Sequence, residues 1–136
     1  MEAGEQMRAL EDPISPEFVR EWQEVNVYNP VPDEFFATAV SESLKLPARV
    51  WRDYWEGVAL APYDAARLGE IKAPTLIMWG EQDVVFSRED QKQLAGAIPG
   101  ATLRVYPDTG HAVHWDRPEQ VVRDLEAFMK DTRPAP

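Results

Sequence analysis

The chain has 136 residues and no cysteine. That excludes disulfides, thiolate metal sites and a cysteine nucleophile. Long apolar runs are also missing. No stretch approaches the roughly 18 residues needed to cross a bilayer. The N-terminal "MEAGEQMRALEDP" is acidic and lacks the apolar region of a signal peptide. No cluster of five or more Lys or Arg occurs, and 24 acidic against 14 basic residues give a formal net charge of -10. Neither nucleic acid nor a membrane is therefore expected as a partner, and the expected location is cytoplasmic. Histidine is scarce, with two residues in all. Both lie in "DTGHAVHW", residues 108–115. What is plentiful is apolar side chain, at 44%, which makes the chain globular rather than disordered.

Two halves follow different patterns. Residues 13–69 read as helices joined by proline turns. "PEFVREWQEV" is one helix. "PDEFFATAVSESLKL" is a second, where Phe35 with Ala39, and Phe36 with Val40 and Leu44, recur at helical spacing, and Pro32 suits the first turn. "PARVWRDYWEGV" is a third, with Val50, Trp51, Tyr54, Trp55 and Val58 on one face. Residues 71–130 change period. The run Thr75–Trp79, stopped by Gly80, reads as a strand buried on both faces, as in a parallel sheet. "FSREDQKQLAGAIPG" reads as a helix capped by Ser87 with Asp90 three residues on, its Leu94 and Ile98 facing the core. "LRVY" is the next strand. Asp116 then reads as the N-cap of "RPEQVVRDLEAFMK", with Glu119 completing a capping box and Val121, Val122, Leu125, Phe128 and Met129 as its buried stripe. Strand, helix, strand, helix implies two parallel strands joined by a right-handed crossover.

In open α/β sheets, ligands sit beyond the carboxyl ends of the strands. Asp83 lies just past the first strand and His111 just past the second. Adjacent parallel strands bring these two loops side by side. A carboxylate next to an imidazole fixes its tautomer and stabilises the imidazolium. Other readings exist for each residue alone. A loop Asp more often caps a helix, and His111 with His114, helped by Asp108 or Asp116, has a weak metal-ligand spacing. Trp51, Tyr54 and Trp55 read first as packing, with a substrate-facing role as the alternative. His114 reads first as a structural neighbour, again with substrate contact as the alternative. No metal and no cofactor is expected.

Taken together, "IKAPTLIMWGEQD" and "IPGATLRVYPDTGHAVHWDRPEQVVRDLEAFM" resemble the C-terminal end of the α/β-hydrolase superfamily. In that superfamily a strand ends in G-x-x-D, and the next ends in a small residue, Gly and the catalytic His. Gly80–Asp83 and Gly110–His111 match residue by residue. The resemblance covers roughly residues 14–130. It implies Asp83 as the triad acid and His111 as the general base. It also implies that residues 1–69 form a helical lid and residues 70–136 the last strand–helix–strand–helix of the core. The implied fold is α/β, a partial α/β-hydrolase with two or so parallel strands, flanking helices and a lid.

One part of that resemblance is missing. The family's G-x-S-x-G nucleophile elbow and its early oxyanion loop have no counterpart here. The four serines are Ser15, Ser41, Ser43 and Ser87, and none is flanked by glycines in that pattern. The chain therefore reads as the back half of a hydrolase acting on a small ester or related acyl compound. The alternative is a catalytically silent fragment or small-molecule-binding module. A two-stranded sheet is marginal in water, so the expected partners, besides a small-molecule substrate, are a missing N-terminal half or a second copy of the chain.

Overall fold

The computed structural model describes residues 2–59 and 65–132, and the chain divides into two compact units. The first comprises residues 1–24 and 32–63; the second comprises 25–31 and 64–136. Residues 25–31, which the sequence pattern groups with the helices, thus pack with the strands.

The first unit is helical: α1 (Glu2–Arg8), α2 (Pro16–Glu24), α3 (Asp33–Ser43) and α4 (Ala48–Tyr54), the last running on through a π-helical turn, Trp55–Ala59. Its core is Met7, Ile14, Val19, Val40, Ala48 and Trp51, with Phe36 and Leu44 packed against it. The sequence reading missed α1, which earns its place by burying Met7 to 1% exposure. Pro32 stands at the N-cap of α3 rather than inside its first turn. Of the two apolar rows on that helix, Phe36–Val40–Leu44 faces the core, while Phe35 is 42% exposed. The side chain of Val58 lies outside the described residues.

The second unit carries a 3-10 turn (Ala65–Glu70), β1 (Leu76–Gly80), α5 (Arg88–Ala97), β2 (Thr102–Tyr106), the single turn α6 (Val113–Asp116) and α7 (Pro118–Asp131). β1 and β2 are parallel, in register from Leu76↔Thr102 to Gly80↔Tyr106. This is the α/β arrangement that the alternation of patterns implies. Ser87 caps α5: its Oγ accepts from the Asp90 N–H, and the Asp90 carboxylate accepts from the Ser87 N–H, a complete capping box.

Three expectations for this unit are corrected. β1 is not sealed on both faces: Leu76, Ile77 and Met78 are only partly buried, and full burial begins at Trp79. The stripe on α7 is not buried either: Val122, Leu125 and Met129 are 54%, 44% and 51% exposed. Both follow from a sheet of two strands, which leaves apolar faces without a neighbour. Finally, Asp116 does not cap α7. The N-cap is Arg117, without a side-chain cap, and Pro118 follows at the first position. Proline has no N–H to satisfy there, which lowers the demand for a cap. Asp116 turns the other way and accepts from the backbone N–H groups of Gly110, at 2.6 Å, and Tyr28, at 3.1 Å.

Candidate active site

The site begins where β1 and β2 end. Their pairing continues past the last ladder residues: the Glu81 N–H donates to the Tyr106 carbonyl and the Gln82 N–H to the Thr109 carbonyl, both at 2.9 Å. The two following loops are therefore joined backbone to backbone. Gly80 permits this approach. A Cβ there would lie 2.0 Å from the Gly110 oxygen and 2.3 Å from the Thr109 oxygen. Gly110 is crowded from the other side, where the backbone of residues 26–28 passes: a Cβ would meet the Tyr28 nitrogen at 2.7 Å.

These contacts bring Asp83 and His111, 28 residues apart in sequence, to 2.9 Å between Oδ2 and Nδ1. A carboxylate accepts only, so Nδ1 is the donor of this bond. Asp83 is also fixed by its own turn, because its Oδ1 accepts from the N–H groups of Val85, at 2.7 Å, and Phe86, at 3.1 Å. Three hydrogen bonds on a side chain only 2% exposed leave it a single orientation. The imidazole is 32% exposed, so the acid is enclosed and the histidine opens to solvent. That gradient places any reacting group against the imidazole and not the carboxylate.

The Phe86 ring lies 5.5 Å from the His111 ring, tilted by 51°. The sequence reading missed this residue. The signal was present in "DVVF", an apolar triplet directly after the acid in an otherwise polar segment. Val84, Val85 and Phe86 are 77%, 48% and 51% exposed, an apolar rim on the Asp83 loop whose last residue, Phe86, lies beside the histidine.

His114 is exposed and packs edge-on against Trp115 at 5.9 Å. Trp51 is 7% exposed and meets Phe18 and Trp22 edge-on at 5.7 and 6.0 Å, and Trp55 meets Trp22 at 6.2 Å. Both tryptophans belong to the packing of the helical unit. Tyr54 is 53% exposed. Among the described residues, no group of three or more His, Asp or Glu is disposed to hold a metal ion. No helix among them is long and apolar enough to cross a membrane.

Beneath the site, the buried Tyr106 hydroxyl donates to Asp124 Oδ2 at 2.8 Å. Burial first, and then the hydrogen bond to that carboxylate, hold its phenol proton well beyond the ordinary tyrosine range. The end of β2 is thereby anchored to α7.

An acid–imidazole pair at the carboxyl ends of adjacent parallel strands is the arrangement of an α/β-hydrolase core. Residues 4–118 match the α/β-hydrolase fold family, and the chain belongs to it. It is similar to 2-hydroxy-6-oxononadienedioate/2-hydroxy-6-oxononatrienedioate hydrolase 2 of Pseudomonas putida, 35% identical over 69 residues. That match takes in 51% of this chain and 24% of the relative. It is also similar to the 2-hydroxy-6-oxo-6-phenylhexa-2,4-dienoate hydrolase of Burkholderia cepacia, 38% identical over 73 residues, which are 53% of this chain and 26% of that one. Among solved structures, an esterase from Exiguobacterium antarcticum superposes with a TM-score of 0.76 at 23% identity, over 95% of this chain and 45% of the esterase. The matched segments thus span about a quarter of these curated relatives and under half of the solved esterase.

Proposed function

We propose that this chain supplies the triad acid, Asp83, and the general base, His111, of a serine-type α/β-hydrolase acting on an ester or related small acyl substrate. The observation that carries this reading is the 2.9 Å contact between an enclosed carboxylate and a solvent-facing imidazole. The nucleophile comes from a polypeptide segment outside these 136 residues, since the sequence holds no G-x-S-x-G elbow. In the assembled site, His111 Nε2 takes the proton from the attacking serine hydroxyl and later gives it to the leaving group. Asp83 keeps Nδ1 protonated and offsets the charge of the imidazolium. The exposed rim of Val84, Val85 and Phe86 supplies an apolar contact for the substrate.

The helical unit serves as the cap in this reading. Of its aromatic residues, Tyr54 has the exposure that a substrate contact needs, whereas Trp51 is committed to packing. His114 is exposed and is a second point of substrate contact. No cofactor enters the scheme. Cytoplasmic location fits the lack of cysteine. Two of the relatives above are named as 2-hydroxy-6-oxo-dienoate-type hydrolases, so such compounds belong beside simple esters among the substrates to test.

The test is p-nitrophenyl acetate hydrolysis by three samples: the chain alone, the chain with a front-half polypeptide bearing the elbow serine, and that pair with His111→Ala. The chain alone should give trace activity, because general-base assistance by itself contributes about 10²–10⁴-fold. The pair should turn over, and the His111→Ala pair should not. Turnover by the chain alone near about one per second, an ordinary enzymatic rate, lost on changing Ser41, Ser43 or Ser87, would refute the reading.

A further inference from the structure

We infer that Asp116 is a positioning residue for His111: its carboxylate ties the backbone strap at residues 26–29 to the His111 turn and so keeps the imidazole on Asp83. The inference rests on the reading of His111 as the base, but its central evidence is independent of activity.

Among the described residues, the hydrogen bonds of the Asp116 carboxylate go to backbone and to Asn29 and not to the imidazole. Its Oδ2 accepts from the Gly110 N–H at 2.6 Å and the Tyr28 N–H at 3.1 Å, and its Oδ1 accepts from the Asn29 N–H at 3.4 Å. Convergent donors on one ionisable acceptor are the strong kind of hydrogen bond. The strap completes the hold on the other side of His111, where the Ala112 N–H donates to the Asn26 carbonyl at 2.7 Å. Asn29 Nδ2 reaches the Asp108 carbonyl, also at 2.7 Å. The backbone amides of both neighbours of His111 are thus held, one by Asp116 and the other by the strap that Asp116 anchors.

The turn needs this restraint. It contains Gly110, and Asp108 sits in the left-handed region at φ 49°. The Gln82–Thr109 bond holds this turn on the side of β1, and Asp116 with residues 26–29 holds it on the other. Asp83, by contrast, is set by bonds within its own loop. The Asp83–His111 distance therefore depends on the histidine side, where Asp116 holds the Gly110 amide directly before the imidazole. Small misplacements of a reacting group are costly: about 1 Å can cost about 10²-fold in rate.

The experiment uses the full ¹⁵N-labelled chain with Asp116→Ala, Asp116→Asn and Asp83→Asn. NMR reads amide exchange at Gly110, Tyr28 and Ala112, and the Nδ1–H signal of His111. In Asp116→Ala, the Gly110 and Tyr28 amides should exchange at least about tenfold faster, the effect of losing a hydrogen bond to a charged group. Ala112 should follow, and the Nδ1–H signal should be lost, while the β1–β2 amides stay protected. Asp116→Asn retains one acceptor oxygen and should restore part of the protection. If Asp116→Ala does not fold, the Asparagine variant decides, with Gly110 exchange several-fold faster on an intact β1–β2 ladder. Asp83→Asn should lose the Nδ1–H signal but keep Gly110 and Tyr28 protected. A folded Asp116→Ala chain with His111 Nδ1–H still protected overturns the inference. In the reconstituted pair, Asp116→Ala should lower kcat about 10–100-fold with KM little changed. A wild-type pair without turnover defeats the hydrolase reading and leaves the exchange result to decide the positioning role.

Discussion

Gly80→Ala is the smallest change that tests how the site is built. The added Cβ would lie 2.0 Å from the Gly110 oxygen, 2.3 Å from the Thr109 oxygen and 2.7 Å from the Thr109 carbonyl carbon. All three are backbone atoms, so no side chain can swing away. The loop after β2 must move off the end of β1 by about 1 Å or more, which takes hydrogen bonds now near 2.9 Å beyond useful range. Forced overpacking costs about 1–3 kcal/mol. Losing the Glu81–Tyr106 and Gln82–Thr109 bonds adds about 0.5–1.5 kcal/mol each. The total is about 2–6 kcal/mol, a large fraction of the stability of an ordinary domain. Urea unfolding followed by tryptophan fluorescence measures it, and Gly96→Ala is the control. Gly96 lies in α5 with nothing within 4 Å of an added Cβ, so alanine there should stabilise by about 0.5–1 kcal/mol through helix propensity. A Gly80→Ala chain within about 0.5 kcal/mol of wild type, the size of an ordinary surface change, would refute the tight joining of the two loops.

Other expected outcomes follow from single contacts. Tyr106 has its phenol pKa raised by burial and by Asp124, so the unfolded chain loses that proton first. Its contribution is complete below the unfolded value of about 10 and falls as pH rises past it toward the higher folded value; pH-dependent urea unfolding should show this decline, and Tyr106→Phe should remove it. Ser87→Ala removes the cap of α5 and should cost about 1 kcal/mol by thermal unfolding, an effect absent from Ser41→Ala on α3. Light scattering should find dimers or larger species, and Leu125→Lys with Met129→Lys should reduce them; a compact wild-type monomer with cooperative unfolding would count against an uncovered sheet.

The strand pair was legible because parallel β structure leaves a strong local trace: an apolar run ended by Gly80, a capped helix and a second run ended by Pro107. The juxtaposition of Asp83 and His111 followed from the crossover rule without any knowledge of side-chain packing. Ser87 and Asp90 were legible for the same reason, as the capping box is a contact between near neighbours in sequence. Asp116 was not. Its position before Pro118 matches a helix cap, and nothing local reveals that Gly110, Tyr28 and Asn29 offer it better donors. Tyr28 is 88 residues away, and such a partner is set by tertiary structure alone. Helix α1 escaped because its seven residues, Glu2–Arg8, include a single large apolar residue, Met7, too few to show a period. Burial on α7 was overestimated because periodicity identifies an apolar face but does not supply what covers it.

That last discrepancy bears on function. Val122, Leu125 and Met129 on α7 are each more than two-fifths exposed, and Val84, Val85 and Phe86 on the Asp83 loop are nearly half exposed or more. Apolar residues scattered singly on a surface need no explanation, but rows of them on a helix face do. β1 adds partly buried Leu76, Ile77 and Met78 in a sheet of two strands, and an open edge carries unpaired amides and carbonyls. The catalytic shortage and the structural shortage then coincide. In the proposed reading the pair Asp83–His111 needs a nucleophile that no G-x-S-x-G serine of this sequence provides, and among the described residues the sheet that carries the pair has two strands. In a doubly wound fold both needs are met from the same direction, because nucleophile elbows stand at the carboxyl ends of strands in the same sheet. A silent binding module needs only its apolar rim and has no use for an enclosed carboxylate held by three hydrogen bonds and aimed at an imidazole. The economy of one partner supplying both strands and serine is what favours the hydrolase reading over the silent one.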